Sequence, residues 1–239
     1  MTSSHSLRTF AAGLALALST TAAFAAAPAP TPFTATYKVS QGGQVIGEAV
    51  VSLKPAGNGQ WVYSNQIKGT GGIAAALGAN SNETTTFRWN NGAPETVSYD
   101  YKMDAGFKNK QRHTDVNWTS GQVTVDDGKG PMTYPSAPGM VDRNTTSYAI
   151  GLALRGGKQS VSLPVAVKRN VETQEFKVAG KEAVKVPAGS FQAERVVRSS
   201  DQNSFSAWYA PQKYPVPVKL SQSDGGNLEL QLVSYKSGN

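Results

Sequence analysis

The C-terminal third of the chain contains two segments that decide the fold, VPAGSFQAERVV at residues 186–197 and LELQLVSY at residues 228–235. In the second segment leucines alternate with polar residues, and side chains on a strand repeat every two residues, so this segment has one face to bury. Between the two lie AWYAP at 207–211 and YPVPVKL at 214–220, which show the same strand-like character and are separated by turn-forming residues. This third of the chain therefore predicts a meander of four β-strands.

Similar alternation begins at Phe33 and recurs along the chain, with turn signals spaced about 8–12 residues apart, as in sandwiches and barrels. Residues 41–44 and 90–92 carry the glycine and asparagine that tight hairpins need, and residues 179–181 predict another hairpin between short strands at 172–178 and 183–186. We expect an all-β fold of roughly a dozen mostly antiparallel strands. A sheet of that size curls into a barrel, a half-barrel or a two-layer sandwich.

Two helices interrupt the strand pattern. The longer is predicted over residues 142–155, where Asp142 or Thr145 can cap the start and the glycine pair at 156–157 ends the helix. We expect this helix to plug or cover the sheet. Residues 69–78 are predicted to form a loop and about two turns of helix, which Gly78 ends.

Composition excludes several kinds of chemistry. The 239 residues include no cysteine, which removes disulfides, thiolate metal sites and cysteine nucleophiles. Hydrophobic residues make up 39% of the chain, enough to build a core. The formal net charge of +7 favours anionic partners, and it is equally common as a feature that keeps proteins soluble.

The first residues have the features of a secretory signal peptide. A positive residue precedes an apolar run, and Ala23-Phe24-Ala25 fits a small-residue cleavage site. We expect residues 1–25 to be cleaved, residues 26–32 to form an Ala/Pro linker, and residues 33–239 to form one β domain. The product is expected to be periplasmic or secreted, without a transmembrane anchor after processing.

Three candidates for catalysis or cofactor binding are weak. Residues 69–74 have the form of a dinucleotide fingerprint, but the helix that follows is too short for a βαβ crossover. His113 could act as a catalytic base if Asp115 or Asp142 oriented it, but no nucleophile motif is present and its neighbours are polar. Carboxylates in the central strands show no spacing that selects an acid–base pair. We therefore expect neither catalytic residues, nor a metal site, nor a cofactor.

Two groups of residues are candidates for binding. Lys108, Lys110 and Arg112 alternate, so they project from one face of one strand and could bind anions, although such a stripe more often marks a solvated or edge strand. The second group consists of aromatic residues expected to point inward, where they either fill the interior or line an apolar pocket. Its members are Tyr37, Trp61, Tyr63, Phe87, Trp89, Tyr99 and Tyr101.

Residues 33–235 resemble the bacterial exported proteins grouped as domain of unknown function 3108. The likeness rests on residues 37–53, 141–155, 186–193 and 208–219, which are structural motifs. The resemblance implies an envelope protein with a curled, barrel-like antiparallel sheet, and it supplies no catalytic residues.

Together these observations predict a noncatalytic exported protein that binds an apolar or lipid-like ligand, such as an acyl chain, inside a curled sheet. The alternative is an interaction protein that binds an anionic envelope polymer or another protein through a basic face. A hydrolase is the remaining alternative. Nucleic acid is disfavoured, because only Phe107 and Trp118 flank the basic residues.

Overall fold

A computed structural model describes residues 29–201, 204–223 and 227–238. The predicted signal peptide, residues 1–25, and the first part of the linker, residues 26–28, lie outside the described residues. Within them the chain forms two helices, α1 (Gly72–Ala76) and α2 (Thr146–Arg155), and fifteen strands. The strands are β1 (Phe33–Gln41), β2 (Gln44–Gly57), β3 (Gln60–Gly69), β4 (Asn80–Asn90), β5 (Ala93–Ala105), β6 (Lys108–Asn117), β7 (Gln122–Asp126), β8 (Met132–Pro135), β9 (Val141–Asp142), β10 (Ser160–Val167), β11 (Asn170–Val186), β12 (Gly189–Arg198), β13 (Phe205–Tyr209), β14 (Lys219–Gln222) and β15 (Leu228–Ser237).

All of these strands belong to one sheet, whose order is β8-β7-β6-β5-β4-β3-β2-β1-β15-β14-β13-β12-β11-β10-β9. Neighbours are antiparallel except β9 and β10, which run parallel. The all-β prediction of a curled, mostly antiparallel sheet is confirmed. Backbone pairing does not join β8 to β9, so the sheet curls without closing.

Side chains join the two margins of the curled sheet. Val123, Tyr134 and Met140 pack together, with Ala166 and Val171 from the opposite margin against them. Nearby, Arg169 Nη2 donates to Asp127 Oδ1 at 3.0 Å. The margins are therefore held by packing and one ion pair rather than by strand pairing.

Helix α2 lies against the inner face of the sheet and organises the core. The ring of Tyr148 lies 6.0 Å from Phe33, 5.5 Å from Tyr63 and 6.2 Å from Phe87, measured between ring centroids. Gly151 is required in the helix, because a Cβ there would lie 2.0 Å from the carbonyl oxygen of Pro215. The prediction that this helix packs against the sheet agrees with these contacts.

Helix α2 begins later than its predicted start at residue 142. Asp142 belongs instead to β9, and the helix starts at Thr146 after Thr145 as the N-cap. The side chain of Asp142 accepts the backbone N–H of Asn144 at 2.8 Å and of Thr145 at 3.0 Å. These bonds turn the chain from strand to helix, so Asp142 acts just before the helix.

The predicted hairpin at residues 179–181 is wrong, because β11 runs unbroken from Asn170 to Val186. Its register against β12 shifts between Val178 and Gly180, which is a β-bulge. A bulge interrupts the alternation of side chains just as a turn does, and this explains the error. The strand predicted at 214–220 is also shorter than expected: β14 begins at Lys219, because Pro215 and Pro217 lack the N–H that a ladder needs.

Candidate functional site

The aromatic residues expected to point inward belong to the packed interior. Tyr37, Tyr63, Phe87 and Tyr99 are 0–4% exposed, whereas Trp61, Trp89 and Tyr101 are half-buried. The hydroxyl of Tyr37 donates to the carbonyl oxygen of Pro217 at 2.9 Å, and burial raises its pKa. An apolar ligand at this place would have to displace side chains that already contact one another and α2.

Lys108, Lys110 and Arg112 lie on the inner face of the sheet. Arg112 pairs across strands with Tyr101, which in turn pairs with the buried Glu83. Lys108 and Lys110 are exposed and Arg112 is half-buried. The stripe therefore faces the same side as the core, beyond the part of the sheet that α2 covers.

Arg143, in the turn between β9 and α2, adds a second guanidinium to this region. Its Nε and Nη2 each lie 3.1 Å from a carboxylate oxygen of Glu83, and its guanidinium carbon lies 5.2 Å from the ring centre of Tyr101. Burial has the largest influence and acts to lower the pKa of Arg143, but the charge of Glu83, the nearby Tyr99 and Tyr101 and the hydrogen bond to Glu83 together outweigh it, so the pKa is raised. Arg143 thus stays charged while 55% of its side chain remains exposed.

The buried carboxylate of Glu83 holds the guanidinium of Arg143 in place. Glu83 is 5% exposed, and besides Arg143 it accepts the hydroxyl of Tyr99 at 2.6 Å. Burial, followed by the negative charge of Glu83, raises the pKa of Tyr99, so this hydroxyl remains a donor. The carboxylate is thereby satisfied on both oxygens, and Arg143 is fixed in place with part of its guanidinium open to solvent.

The row across β3–β6 also contains polar atoms without partners. Cross-strand pairing places Asn65, Glu83, Tyr101 and Arg112 side by side. Arg112 Nε and Asn65 Oδ1 are buried and have no hydrogen-bond partner among the described residues. Burial is the main reason that the pKa of Tyr101 is raised, while the charges of Arg143 and Arg112 act in the opposite direction. We call Tyr101, Lys108, Lys110, Arg112 and Arg143 the inner basic face.

Asp142 holds the turn that carries Arg143. Its side chain accepts Thr85 Oγ1 at 3.0 Å and Thr96 Oγ1 at 2.9 Å, besides the two backbone N–H groups described above. Burial raises its pKa, and these hydrogen bonds act against that rise. Asp142 therefore ties the β9–α2 turn to β4 and β5 and fixes the position of its neighbour Arg143.

His113 lies on the outer face of the sheet, away from this cluster. Its Nδ1 lies 2.7 Å from Asp100 and its Nε2 lies 2.7 Å from Asp115, and all three side chains are more than half exposed. The hydrogen bond to Asp100 is the main reason that the pKa of His113 is raised. Both ring nitrogens are already used by carboxylates, and Asp142 is buried elsewhere, so the triad considered from sequence is not assembled.

The local backbone structure explains why glycine occurs at residues 69, 71 and 72. A Cβ at Gly69 would lie 2.8 Å from the carbonyl oxygen of Ala74, and one at Gly71 would lie 2.7 Å from that of Val45. Gly72 has a φ of 54°. The fingerprint-like spacing thus arises from close backbone packing around the five-residue helix α1.

The family described as "Protein of unknown function (DUF3108)" matches residues 34–233, which is most of the chain. The chain belongs to the DUF3108 family. The resemblance seen in the sequence is thereby confirmed.

One solved structure similar to this DUF3108 protein is a crystal structure from Brucella abortus, described as a beta-barrel-like protein of domain of unknown function DUF1849. The two chains share 11% identity with a TM-score of 0.49, over 87% of this chain and 98% of the other. No curated protein sequence matches the chain significantly.

The sequence of this DUF3108 protein indicates the lysines and the arginine of β6 as candidates. It does not indicate that Glu83, Tyr99 and Arg143 form one hydrogen-bonded cluster. These residues come from β4, β5 and the β9–α2 turn, so only the register of the sheet brings them together. In the described part of the chain, no group of three His, Asp or Glu residues is arranged to hold a metal ion. None of the described helices is long and apolar enough to cross a membrane.

Proposed function

We propose that this DUF3108 protein is a noncatalytic binding protein of the bacterial envelope that takes an anionic group, such as a phosphate, on its inner basic face. The observation that carries the proposal is the pair of guanidiniums beside Tyr101. Arg143 is anchored by Glu83 and remains partly exposed, and Arg112 has an unused buried N–H donor. Arginine forks match the geometry of phosphate and carboxylate oxygens.

Charge supports an anionic ligand. Glu83, the buried acid of this row, is neutralised by Arg143, which leaves Lys108, Lys110 and Arg112 as further positive charges on the same face. The hydrogen bond from Arg169 is the main reason that the pKa of Asp127 is lowered, and the charge of Arg112 makes the smallest contribution in the same direction. A phosphate beside Tyr101 would therefore lie next to more positive than negative charge. Tyr101 and Arg112 are half-buried, and electrostatic attraction is stronger there than in bulk water.

The ligand could still be a lipid, but its apolar part would not enter the core described above. The rings of Phe33, Tyr63 and Phe87 lie 5.5–6.2 Å from the ring of Tyr148 between centroids, a spacing typical of packed rings. The geometry favours recognition of a head group at the surface of the inner face over an acyl chain inside the sheet. Export to the periplasm is part of the proposal and rests on the signal-like residues 1–25.

Calorimetric titration of the chain that lacks residues 1–25 tests the proposal, with glycerol phosphate as a free head group and dihexanoyl phosphatidylglycerol as a soluble lipid. We expect both to bind, and Arg112→Gln to weaken binding about tenfold or more, because hydrogen bonds between charged groups are worth about 1.5–3 kcal/mol. Binding of the lipid alone would indicate a lipid source for the phosphate.

Lys54→Gln is the matched control, since Lys54 is an exposed residue of β2 and loses the same charge. This variant should bind as the wild type does. If Arg112→Gln and Lys54→Gln bound both probes as tightly as the unmodified protein, the inner basic face would not be the site.

A further inference from the structure

Three connections converge at one end of the sheet and expose apolar side chains there. Ile73 and Leu77 come from the β3–β4 connection, Phe107 from the β5–β6 hairpin and Val45 from the start of β2. Phe107 is fully exposed, Ile73 is 78% exposed, and the other two are about half exposed. Of the six large hydrophobic residues that are exposed in the described part of the chain, these are four. We call Val45, Ile73, Leu77 and Phe107 the apolar end.

Backbone hydrogen bonds hold the three connections together. The N–H of Gly106 donates to the carbonyl oxygen of Leu77 at 2.9 Å, which joins the β5–β6 hairpin to the residue after α1. The N–H groups of Thr70 and Gly71 donate to the carbonyl oxygen of Ile46 at 3.0 and 3.2 Å, which joins the same connection to β2. The apolar end is therefore one ordered surface rather than three separate loops.

Helix α1 contributes nothing to the core. None of its five residues, all of them described, is buried, and its sequence Gly-Ile-Ala-Ala-Ala carries no charge. A helix on the surface of a protein in water normally has a polar face toward the solvent. An uncharged helix beside a fully exposed phenylalanine is typical of a surface that is covered in use.

Four lysines lie in the strand ends next to the apolar end. Lys108 directly follows Phe107. In the same hairpin Lys110 on β6 pairs with Met103 on β5, and Lys102 is the residue before Met103. Lys68 is the second-to-last residue of β3, just before the β3–β4 connection. All four lysines are exposed. Exposed apolar side chains with lysines close by in the same hairpin and strand ends are complementary to a bilayer with anionic head groups.

We propose that the apolar end is a contact surface for an anionic lipid bilayer, with Phe107, Ile73 and Leu77 entering the interfacial region and the lysines meeting the head groups. This surface shares Lys108 and Lys110 with the inner basic face, but it does not include Arg112 or Arg143, the two residues that carry the proposed binding of an anionic group. It adds a place where the protein meets the membrane to the proposed binding of an anionic group.

Vesicle flotation of the chain that lacks residues 1–25 tests this inference, with phosphatidylcholine vesicles prepared with and without phosphatidylglycerol. We expect binding to the vesicles that contain phosphatidylglycerol and weaker binding to the neutral ones and at high salt. The double variant Ile73→Ser, Phe107→Ser should lower the partition coefficient about tenfold or more, because two large apolar side chains no longer leave water.

The double variant Val50→Ser, Val233→Ser is the matched control, because both valines are exposed elsewhere on the sheet. It should float as the wild type does. The inference would be overturned by equal binding to neutral and anionic vesicles, or by unchanged flotation of the Ile73, Phe107 variant. A wild-type dimer in solution that this variant converts to a monomer would assign the surface to a second copy of the chain instead.

Discussion

Strands β4–β6 have opposite chemistry at their two ends. On β6, Thr114 and Val116 are buried at one end, whereas Lys108 and Lys110 are exposed at the other. On β4, Phe87 packs against α2, while Glu83, four residues earlier, holds Arg143. The helix covers only one end of these strands, and the side chains beyond it have no apolar layer to meet. The packed end keeps the strands in register, and the same register aligns the charged end.

The largest effect on the packed end is expected from Gly151→Ala. The new Cβ would lie 2.0 Å from the carbonyl oxygen of Pro215, so α2 or residues 214–218 must move. We expect a loss of about 3 kcal/mol or more in the free energy of unfolding, measured with urea. Gly180→Ala is the control, because no atom lies within 4 Å of the added Cβ. Equal stability of the two variants would show that the helix packs loosely.

A smaller effect is expected where the two ends meet, at Asp142. Asp142→Asn keeps the size of the side chain but replaces one acceptor oxygen by a donor that faces donors, for an expected cost of about 2 kcal/mol. The folded-state pKa of Asp142 is raised above its ordinary value of 3.8. Protonation therefore favours the folded state, and the wild type should gain stability relative to the variant as the pH falls through the raised pKa toward 3.8. Urea unfolding of both proteins over this pH range measures the difference, and a constant difference would contradict the assignment.

The smallest effect is expected on the outer face, at His113. The pKa of His113 in the folded protein is raised above 6.5, so its contribution is fully present below pH 6.5 and is lost as the pH rises through the raised value. Because more than half of the side chain is exposed, solvent screening limits this contribution to about 0.5 kcal/mol. His113→Gln should remove this part of the pH dependence of unfolding. A variant with the same pH dependence as the wild type would show that the two carboxylates do not stabilise the folded state.

Much of the fold follows from alternation and turn residues. β1 was expected from residue 33 and begins there, because every second side chain is apolar and becomes buried. Asn91 and Gly92 have positive φ angles of 49° and 80°, as the predicted hairpin between β4 and β5 requires. Local patterns suffice for these elements because each strand pairs with its neighbour in sequence.

Other features depend on distant residues and could not be predicted from local patterns. Nothing near Gly180 distinguishes a bulge from a turn, since both break the alternation. Predicting the inner basic face requires knowing on which side of the sheet α2 lies and the register that places Glu83 beside Tyr101. The buried side chain of Asp142 accepts hydrogen bonds from Thr85 and Thr96, which lie 57 and 46 residues away, so local sequence could not predict its surroundings.

The central strand of the sheet, β1, pairs with the strand that is most distant from it in sequence, β15. β1 lies between β2 and β15, and Thr36 Oγ1 meets Ser234 Oγ at 2.7 Å although 198 residues separate them. The first eight strands and the strands from β10 to β14 can each form by pairing neighbours in sequence, but only β15 joins the two sets. The chain must therefore be made through β15 before the two sets can join, and contacts between such distant residues make this joining the slow step of folding.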